Sequence, residues 1–251
     1  MRYLASLKQL RDLLCLNLKP NAITEGVHIM ISRYKWYEAR IPGTIHDFLE
    51  KIERHAFTSK TANGFIVNEE RLGFRYIWQA TLSAQRLNED GATERQEITT
   101  INSQEIAIVS GNKILFRMEN PARSTRELMN ALESIIGFGF SCQQIIIKDK
   151  DIQESLAKID NKKLNSLKVS GALLESKALA RIELASKEGL DTENIKILSM
   201  SEFIVDAASY EVTYRGVKGQ IGFSKAGTCK ISGQLTGFLL GQIEQVLMTN
   251  K

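Results

Sequence analysis

Short runs of β-branched and aromatic residues, separated by glycine-containing turns, are the feature that most restricts how this chain can fold. Between residues 65 and 118 such runs follow one another closely, and Asn63-Gly64 and Gly111-Asn112 have the composition of tight turns. This order predicts an antiparallel meander over residues 65–118.

A second group of short strands is predicted near the end of the chain. Its members are Tyr210–Tyr214, Gln220–Phe223 and Thr228–Ile231. Further strands are predicted at Val27–Tyr37, Cys142–Lys148, Ile195–Met200 and the second half of Leu173–Leu184. The segment Lys162–Lys168 is polar and basic, and no element is assigned to it.

Apolar residues at helical spacing predict five helices. They are Tyr3–Leu18, Thr44–Phe57, Ser124–Ile136, Asp151–Ile159 and Gln234–Met248. Taken together, the elements predict an α+β fold with antiparallel sheets and packed helices. We expect an N-terminal domain at residues 1–137 and a C-terminal domain at 138–251, with a single domain as the alternative. Strands followed by a helix occur at 65–137 and again at 195–248, so two similar halves are an option.

Composition excludes several classes of protein. The 251 residues are 43% hydrophobic and 25% charged, as in a globular protein with a packed core. The three cysteines, Cys15, Cys142 and Cys229, are far apart and predict neither a disulfide framework nor a zinc site. No apolar segment is long enough for a membrane span and no signal-peptide core is evident. We therefore expect a cytoplasmic protein with no membrane partner.

No pattern typical of catalysis is present. His28, His46 and His55 have no liganding or base-orienting partners at a recognisable spacing. The Gly137–Phe140 segment follows a helix, as a helix stop does, and lacks the remainder of a phosphate loop. Asp149 and Asp151 flank Lys150, which is more typical of a polar turn than of a nuclease centre. The chain is therefore expected to be non-enzymatic, without a metal or a cofactor.

Basic residues give the only functional signal. The net charge is +4, and the excess lies at the two ends of the chain and around Arg117–Arg126. Arg123 and Arg126 flank a predicted helix start, where backbone amides attract anions. The predicted nucleic-acid-binding residues are Arg117, Arg123, Arg126, Arg215, Lys218, Lys225 and Lys230. Another basic-aromatic group, in which bases could stack, consists of Arg33, Lys35, Trp36, Tyr37 and Arg40. An ordinary solvated surface remains the alternative for each group.

The C-terminal segment resembles the ending of the phage-exclusion protein RexA. The resemblance rests on the run from Tyr210 to Gly219, the turn Ser224-Lys225-Ala226-Gly227 and the helix that follows Gly233. It implies a non-specific DNA-binding protein, dimeric, in phage–host conflict. The pattern at 73–137 is also loosely similar to the central part of kinetochore proteins of the CENP-N type, which bind nucleic acid.

Two functions therefore stand as expectations. The first is a non-enzymatic protein that binds nucleic acid, with DNA favoured, without reading its sequence, in phage defence or mobile-element biology. The second is an assembly subunit, a homodimer or a component of a larger complex, that docks through apolar stripes at Tyr3–Leu18 and Gln234–Met248. A divergent enzyme is a third option.

Overall fold

A computed structural model describes residues 31–68, 70, 72–173, 178–195, 198 and 203–249 of the chain. Its strands are β1 Ile31–Arg40, β2 Asn63–Asn68, β3 Gly73–Leu87, β4 Thr93–Ser110, β5 Ile114–Glu119, β6 Ser141–Gln144, β7 Asn161–Leu173, β8 Ala178–Ala185, β9 Ile204–Tyr214, β10 Val217–Ser224 and β11 Cys229–Gly233. Its α-helices are α1 Ile45–Glu53, α2 Arg126–Ile136, α3 Asp149–Ser155 and α4 Thr236–Thr249. The predicted helix Tyr3–Leu18 lies outside the described residues.

Strand β1 joins two groups of strands into one antiparallel sheet. One edge of β1 pairs with β5, with Trp36 opposite Arg117. The other edge is shared by β11, with Arg33 opposite Lys230, and by β6, with Ala39 opposite Cys142. The full order is β2-β3-β4-β5-β1-β11-β10-β9-β7-β8, with β6 beside β1. We call β2–β5 the first wing and β7–β11 the second wing.

Side chains alternate across β1, so the sheet has a hydrophobic core on each face. Tyr37 and Ala39 belong to the core on the front face, where α1 and α2 cover the first wing. Tyr34 and Trp36 belong to the core on the back face, where α3 and α4 cover the second wing. None of the four described α-helices covers the front face of the second wing. On the back face of the first wing, α4 reaches only β5, whose Leu115 belongs to the back core.

The predicted α+β class is wrong. The protein is mostly antiparallel sheet, 51% strand and 21% helix, in one sheet of eleven strands. Strands with one open face carry polar residues on alternate positions, so they read as loops in the sequence. In β7, for example, Leu167 and Val169 are buried, while Lys168 between them is exposed. The basic segment left unassigned at 162–168 is part of this strand.

Strands β3 and β4 form the long hairpin of the predicted meander. The turn between them is short, because Leu87 pairs with Thr93. In contrast, the strand predicted over Cys142–Lys148 ends at Gln144, and the helix predicted to end at Ile159 ends at Ser155.

Three predicted helices are confirmed in position. Thr44 caps α1 in a capping box with Asp47, and Phe48, Leu49 and Ile52 are buried beneath it. Helix α2 ends at Gly137, the predicted stop, and α4 closes the chain as predicted. The buried residues Leu239, Ile243 and Leu247 of α4 face the back core. That stripe packs inside the molecule and is not a free docking surface.

Among the described residues, no helix is both long and apolar enough to cross a membrane.

Candidate nucleic-acid interface

The front face of the second wing contains a shallow groove of about 300 Å³. Its floor and walls are mostly small or hydroxyl-bearing side chains from five strands. They include Ser166, Ala207, Ser209, Gly222, Ser224 and Ser232. Gly222 has no side chain and lies between Lys230 of β11 and Ser209 of β9, so the floor is lowest there. Such a surface is free of bulky side chains, although much of it is apolar, and it can accept an extended ligand.

Two lysines stand on opposite sides of this floor. Lys230 lies on β11 and Lys168 on β7, and both line the groove. The two strands are separated by β10 and β9, and Lys168 is two residues out of register with Lys230, so the lysine backbones are about 16 Å apart at ordinary strand spacing and rise. A polyanion lying between them would be within reach of both side chains.

Lys230 lies directly opposite Arg33 in the β1–β11 ladder. Like charges in directly opposed positions destabilise a sheet. Both residues are exposed, and no carboxylate among the described residues forms an ion pair with either one. A bound anion would remove this repulsion, because each positive charge would then face a negative one.

The rest of this face is also rich in cations. By strand register, the front face of the second wing carries Arg33, Lys35, Lys163, Lys168, Arg181, Lys218 and Lys230, against the carboxylates of Glu183 and Glu211. The carboxylate of Asp206, which accepts from Ser170, adds a third negative charge to this face. Lys168 is 2.8 Å from Glu183, and Lys163 is 3.3 Å from Glu211. These pairs are exposed or half-exposed, so water and salt screen them.

Glu211 is the carboxylate that partly neutralises the positive charge at one end of this face. The hydrogen bond from Lys163 lowers the pKa of Glu211 below its ordinary value, and the positive charge of Lys218 acts in the same direction. Lys218 itself is 3.9 Å from Glu211 and its side chain is 76% exposed. Lys218, one of the predicted binding residues, is therefore loosely held and able to contact a ligand.

The segment that leads into α2 contacts Arg33 through Asn120. The backbone NH of Asn120 donates to the carbonyl of Arg33 at 2.6 Å, and the Asn120 side chain accepts from the Arg33 NH at 3.0 Å. Arg123 follows Asn120 by three residues, so its backbone lies within about 11 Å of Asn120. Arg123 and Arg126 are both exposed. The fold thus brings the predicted pair Arg123 and Arg126 to the same end of the sheet as Arg33.

Arg117, another predicted binding residue, lies on the opposite face. Its guanidinium donates to Glu244 of α4 at 2.7 Å, and the same carboxylate oxygen accepts from the indole NH of Trp36 at 3.1 Å. The three residues join α4 to β1 and β5 inside the back core. The geometry gives Arg117 a structural contact.

Lys225 and Arg215 lie in the turns at the two ends of β10. Lys225 forms an ion pair with Asp206, and this contact lowers the pKa of Asp206. Arg215 and Gly216 form a two-residue turn in which both residues have positive φ, 50° for Arg215. The guanidinium of Arg215 lies 5.3 Å from the centre of the Tyr214 ring. Turns of this type favour Asn or Gly, so Arg215 occupies its position at a conformational cost.

The aromatic residues considered for base stacking are not on the surface. Trp36 is fully buried and Tyr37 is 6% exposed. Phe223 is buried, and Tyr214 stacks on Phe238 of α4 with ring centres 4.1 Å apart. Stacking on these rings does not fit the structure, whereas contacts between phosphates and the basic side chains do.

The two cysteines that the structure describes are Cys142 and Cys229. Burial raises the pKa of the Cys142 thiol to about 12 and holds that of the Cys229 thiol well above its ordinary value. Among the residues that the structure describes, no group of three or more His, Cys, Asp or Glu side chains could hold a metal ion.

No protein-family model matches the chain, and no curated protein does so either. The case for function therefore rests on the groove and its charges. Sequence reasoning missed the small residues of the groove floor and Lys168. The available signal was the alternation of small and apolar residues in β9 to β11, as at Ser209, Gly222 and Ser232.

Proposed function

We propose that the protein binds nucleic acid, with DNA favoured, through backbone phosphates on the front face of the second wing, as a non-enzymatic cytoplasmic protein. The observation that carries the proposal is the direct opposition of Arg33 and Lys230, neither of which forms an ion pair with a described residue, beside a groove lined by small residues. Phosphates would neutralise both cations, and counterion release would supply most of the affinity.

The same surface does not favour sequence readout. Bases are read by bidentate Arg, Asn or Gln contacts on elements that enter a groove of the duplex. Here the cations lie on a concave sheet whose floor is Ser, Ala and Gly. Contacts of this kind fix a backbone and carry no base information. A role in phage defence or mobile-element biology rests on the RexA resemblance.

Neutralising the opposed cations tests the proposal. Fluorescence anisotropy with a labelled duplex and a labelled single strand of about 20 nucleotides would be followed between about 50 and 200 mM salt. The double variant Arg33→Gln/Lys230→Gln should bind more weakly. Its slope of log affinity against log salt should fall by about two units, because two phosphate contacts are lost.

A matched control removes the same charge from the first wing. Arg75→Gln/Arg86→Gln also neutralises two exposed arginines, one of them paired with Glu105 on the back face. Its affinity and salt slope should stay close to those of the wild type. Absence of affinity for either ligand at low salt, or equal losses in the two double variants, would exclude the proposed interface.

Filling the groove tests whether the nucleic acid lies in the groove or is only attracted to the charged surface at long range. A Cβ at Gly222 would lie 3.5 Å from the carbonyl oxygen of Ala208, an ordinary contact, so Gly222→Val should fold. The net charge does not change, yet the groove floor rises between Lys168 and Lys230. We expect weaker binding with an unchanged far-UV spectrum. Affinity equal to that of the wild type would place the ligand outside the groove.

A further inference from the structure

The distal halves of β3 and β4 form a two-stranded arm that extends beyond the sheet. The arm begins at the pair Gln79–Ile101 and ends at Leu87–Thr93. Strand β2 pairs with β3 only as far as Trp78, and β5 pairs with β4 only from Ile106 onward. Within the described part of the chain, both outer edges of the arm have no neighbouring strand, over a length of about 30 Å at ordinary strand rise.

An isolated two-stranded ribbon of this kind is marginally stable in water. The arm nevertheless exposes large apolar side chains on its surface: Leu82, Leu87, Ile98 and Ile101, each 43–71% exposed. Leu82 and Ile98 lie directly opposite each other and share one face. Unpaired strand edges beside exposed aliphatic residues are a template for pairing with another strand. The arm therefore has the features of an association surface.

The outer edge of β4 has its backbone groups set for such pairing. The NH of Asn88 donates to the carbonyl of Ala92, and hydrogen-bonded pairs alternate along an antiparallel ladder from there. The NH of Gln79 points to Ala62 of the neighbouring segment, at 2.8 Å, in agreement with that alternation. It follows that the odd-numbered residues of β4, such as Glu97 and Thr99, direct their NH and carbonyl groups outward.

We propose that this edge pairs antiparallel with the same edge of a second copy of the chain, across a two-fold axis at Ile98. In this register odd residues face odd residues, so the outward backbone groups meet. Ile98 faces Ile98 of the partner subunit. Leu82 flanks this pair on one side and Leu82 of the partner subunit flanks it on the other, so one apolar row crosses all four strands. An apolar centre of this kind is typical of protein interfaces.

The charges of the arm fit this register. Glu97 falls opposite Thr99 of the partner subunit, and Arg95 falls opposite Ile101 of the partner subunit. No charged residue is directly opposed to a like charge, the arrangement that destabilises a sheet. The acidic tip at Glu89 and Asp90 extends beyond the paired segment. A two-fold contact also uses the same surface on both copies, so it needs no other partner and closes at the dimer.

The inference is independent of nucleic-acid binding, because the arm lies on the first wing and carries none of the residues proposed to contact phosphate.

Sedimentation equilibrium of the full chain tests the interface. Wild-type protein should be a dimer, and Ile98→Asp should raise the dissociation constant at least 100-fold, because it places two carboxylates face to face at the axis. Leu87→Asp is the matched control: it makes the same change at a more exposed residue of the arm, outside the segment that pairs, and should leave the dissociation constant unchanged.

Disulfide trapping gives a second readout that does not depend on weakening the arm. In the proposed register residue 98 faces itself in a non-hydrogen-bonded pair, where the side chains are closest. Oxidised Ile98→Cys should form a covalent dimer. Ile101→Cys should not, because the two copies of residue 101 would lie about 20 Å apart. Oxidised wild-type protein gives the background from the natural cysteines.

Three results would overturn the proposal: a monomeric wild type at about 100 μM, a concentration that detects even weak dimers; equal losses in Ile98→Asp and Leu87→Asp; or equal cross-linking at positions 98 and 101. A wild type that is monomeric alone and takes up an extended peptide on the arm would also count against a second copy as the occupant.

Discussion

The first and second wings each leave most of one face of the sheet outside the cover of the described α-helices, and the two open faces differ in charge. On the back of the first wing, Arg75 pairs with Glu105 and Arg117 pairs with Glu244. On the front of the second wing, Arg33 and Lys230 oppose each other beside a floor of small residues. Balanced charges stabilise a solvated surface, whereas opposed like charges require something to neutralise them. An open sheet face therefore becomes a candidate binding site when its charges do not balance.

The largest expected effect tests whether the two wings unfold as one unit. Leu132→Ala, in the core of the first wing, should lower the free energy of unfolding by about 3 kcal/mol, because it leaves a cavity. Trp36 belongs to the back core and Trp78 packs on the front core, so each core contains its own fluorescent probe. In urea titrations of the Trp36→Phe and Trp78→Phe backgrounds, Leu132→Ala should shift both midpoints equally, since β1 is shared.

Leu239→Ala, in the core of the second wing, is the reciprocal change and should also lower the unfolding midpoint reported by each tryptophan. Midpoints that move at one tryptophan and stay fixed at the other would mean that the wings unfold separately.

The next effect separates structural from binding arginines. Glu244→Ala should lower the free energy of unfolding by about 2 kcal/mol, because it leaves the Arg117 guanidinium and the Trp36 NH without their acceptor in a half-buried setting. Glu105→Ala, which breaks the exposed pair with Arg75, should cost about 0.5 kcal/mol or less. Urea denaturation measures both. Equal costs would remove the distinction drawn between the two ion pairs.

A gain of binding would sharpen the comparison further. Glu211→Gln should raise the affinity for DNA and steepen its salt dependence, because Lys163 and Lys218 lose their competing carboxylate. The pKa of Glu211 is lowered in the folded protein, so its charge persists as the pH falls below the ordinary range of a glutamate. Wild-type affinity should therefore approach that of the variant only in acid, below that lowered pKa. Glu105→Gln is the control on the first wing and should leave affinity unchanged.

The smallest effect concerns the strained turn at Arg215. Arg215→Asn should raise the free energy of unfolding by about 0.5–1 kcal/mol, because Asn tolerates positive φ better. If Arg215 contacts a phosphate, the salt slope should fall by about one unit at the same time. A more stable variant with an unchanged slope would remove Arg215 from the interface. Thermal unfolding and anisotropy titrations measure the two quantities.

The sequence by itself determined the local elements whose signals lie within a few residues. The capping box at Thr44 and Asp47 placed α1, and the apolar spacing of α2 and α4 located their buried faces. Polar strands such as β7 were not recognisable, because an open sheet face removes the continuous apolar run that marks a buried strand. Of the candidate site, the sequence supplied the cations but not which of them share a face.

Only the tertiary structure decided how distant segments pair. Arg33 and Lys230 are nearly 200 residues apart in the chain, and their opposition depends on the register of β1 with β11. Arg117 was an equally good candidate in the sequence until α4 brought Glu244 to it. The physical reason is that side chains alternate between the two faces of a strand, so the face that a residue occupies, and the charge that it meets there, follow from strand register and not from neighbouring residues.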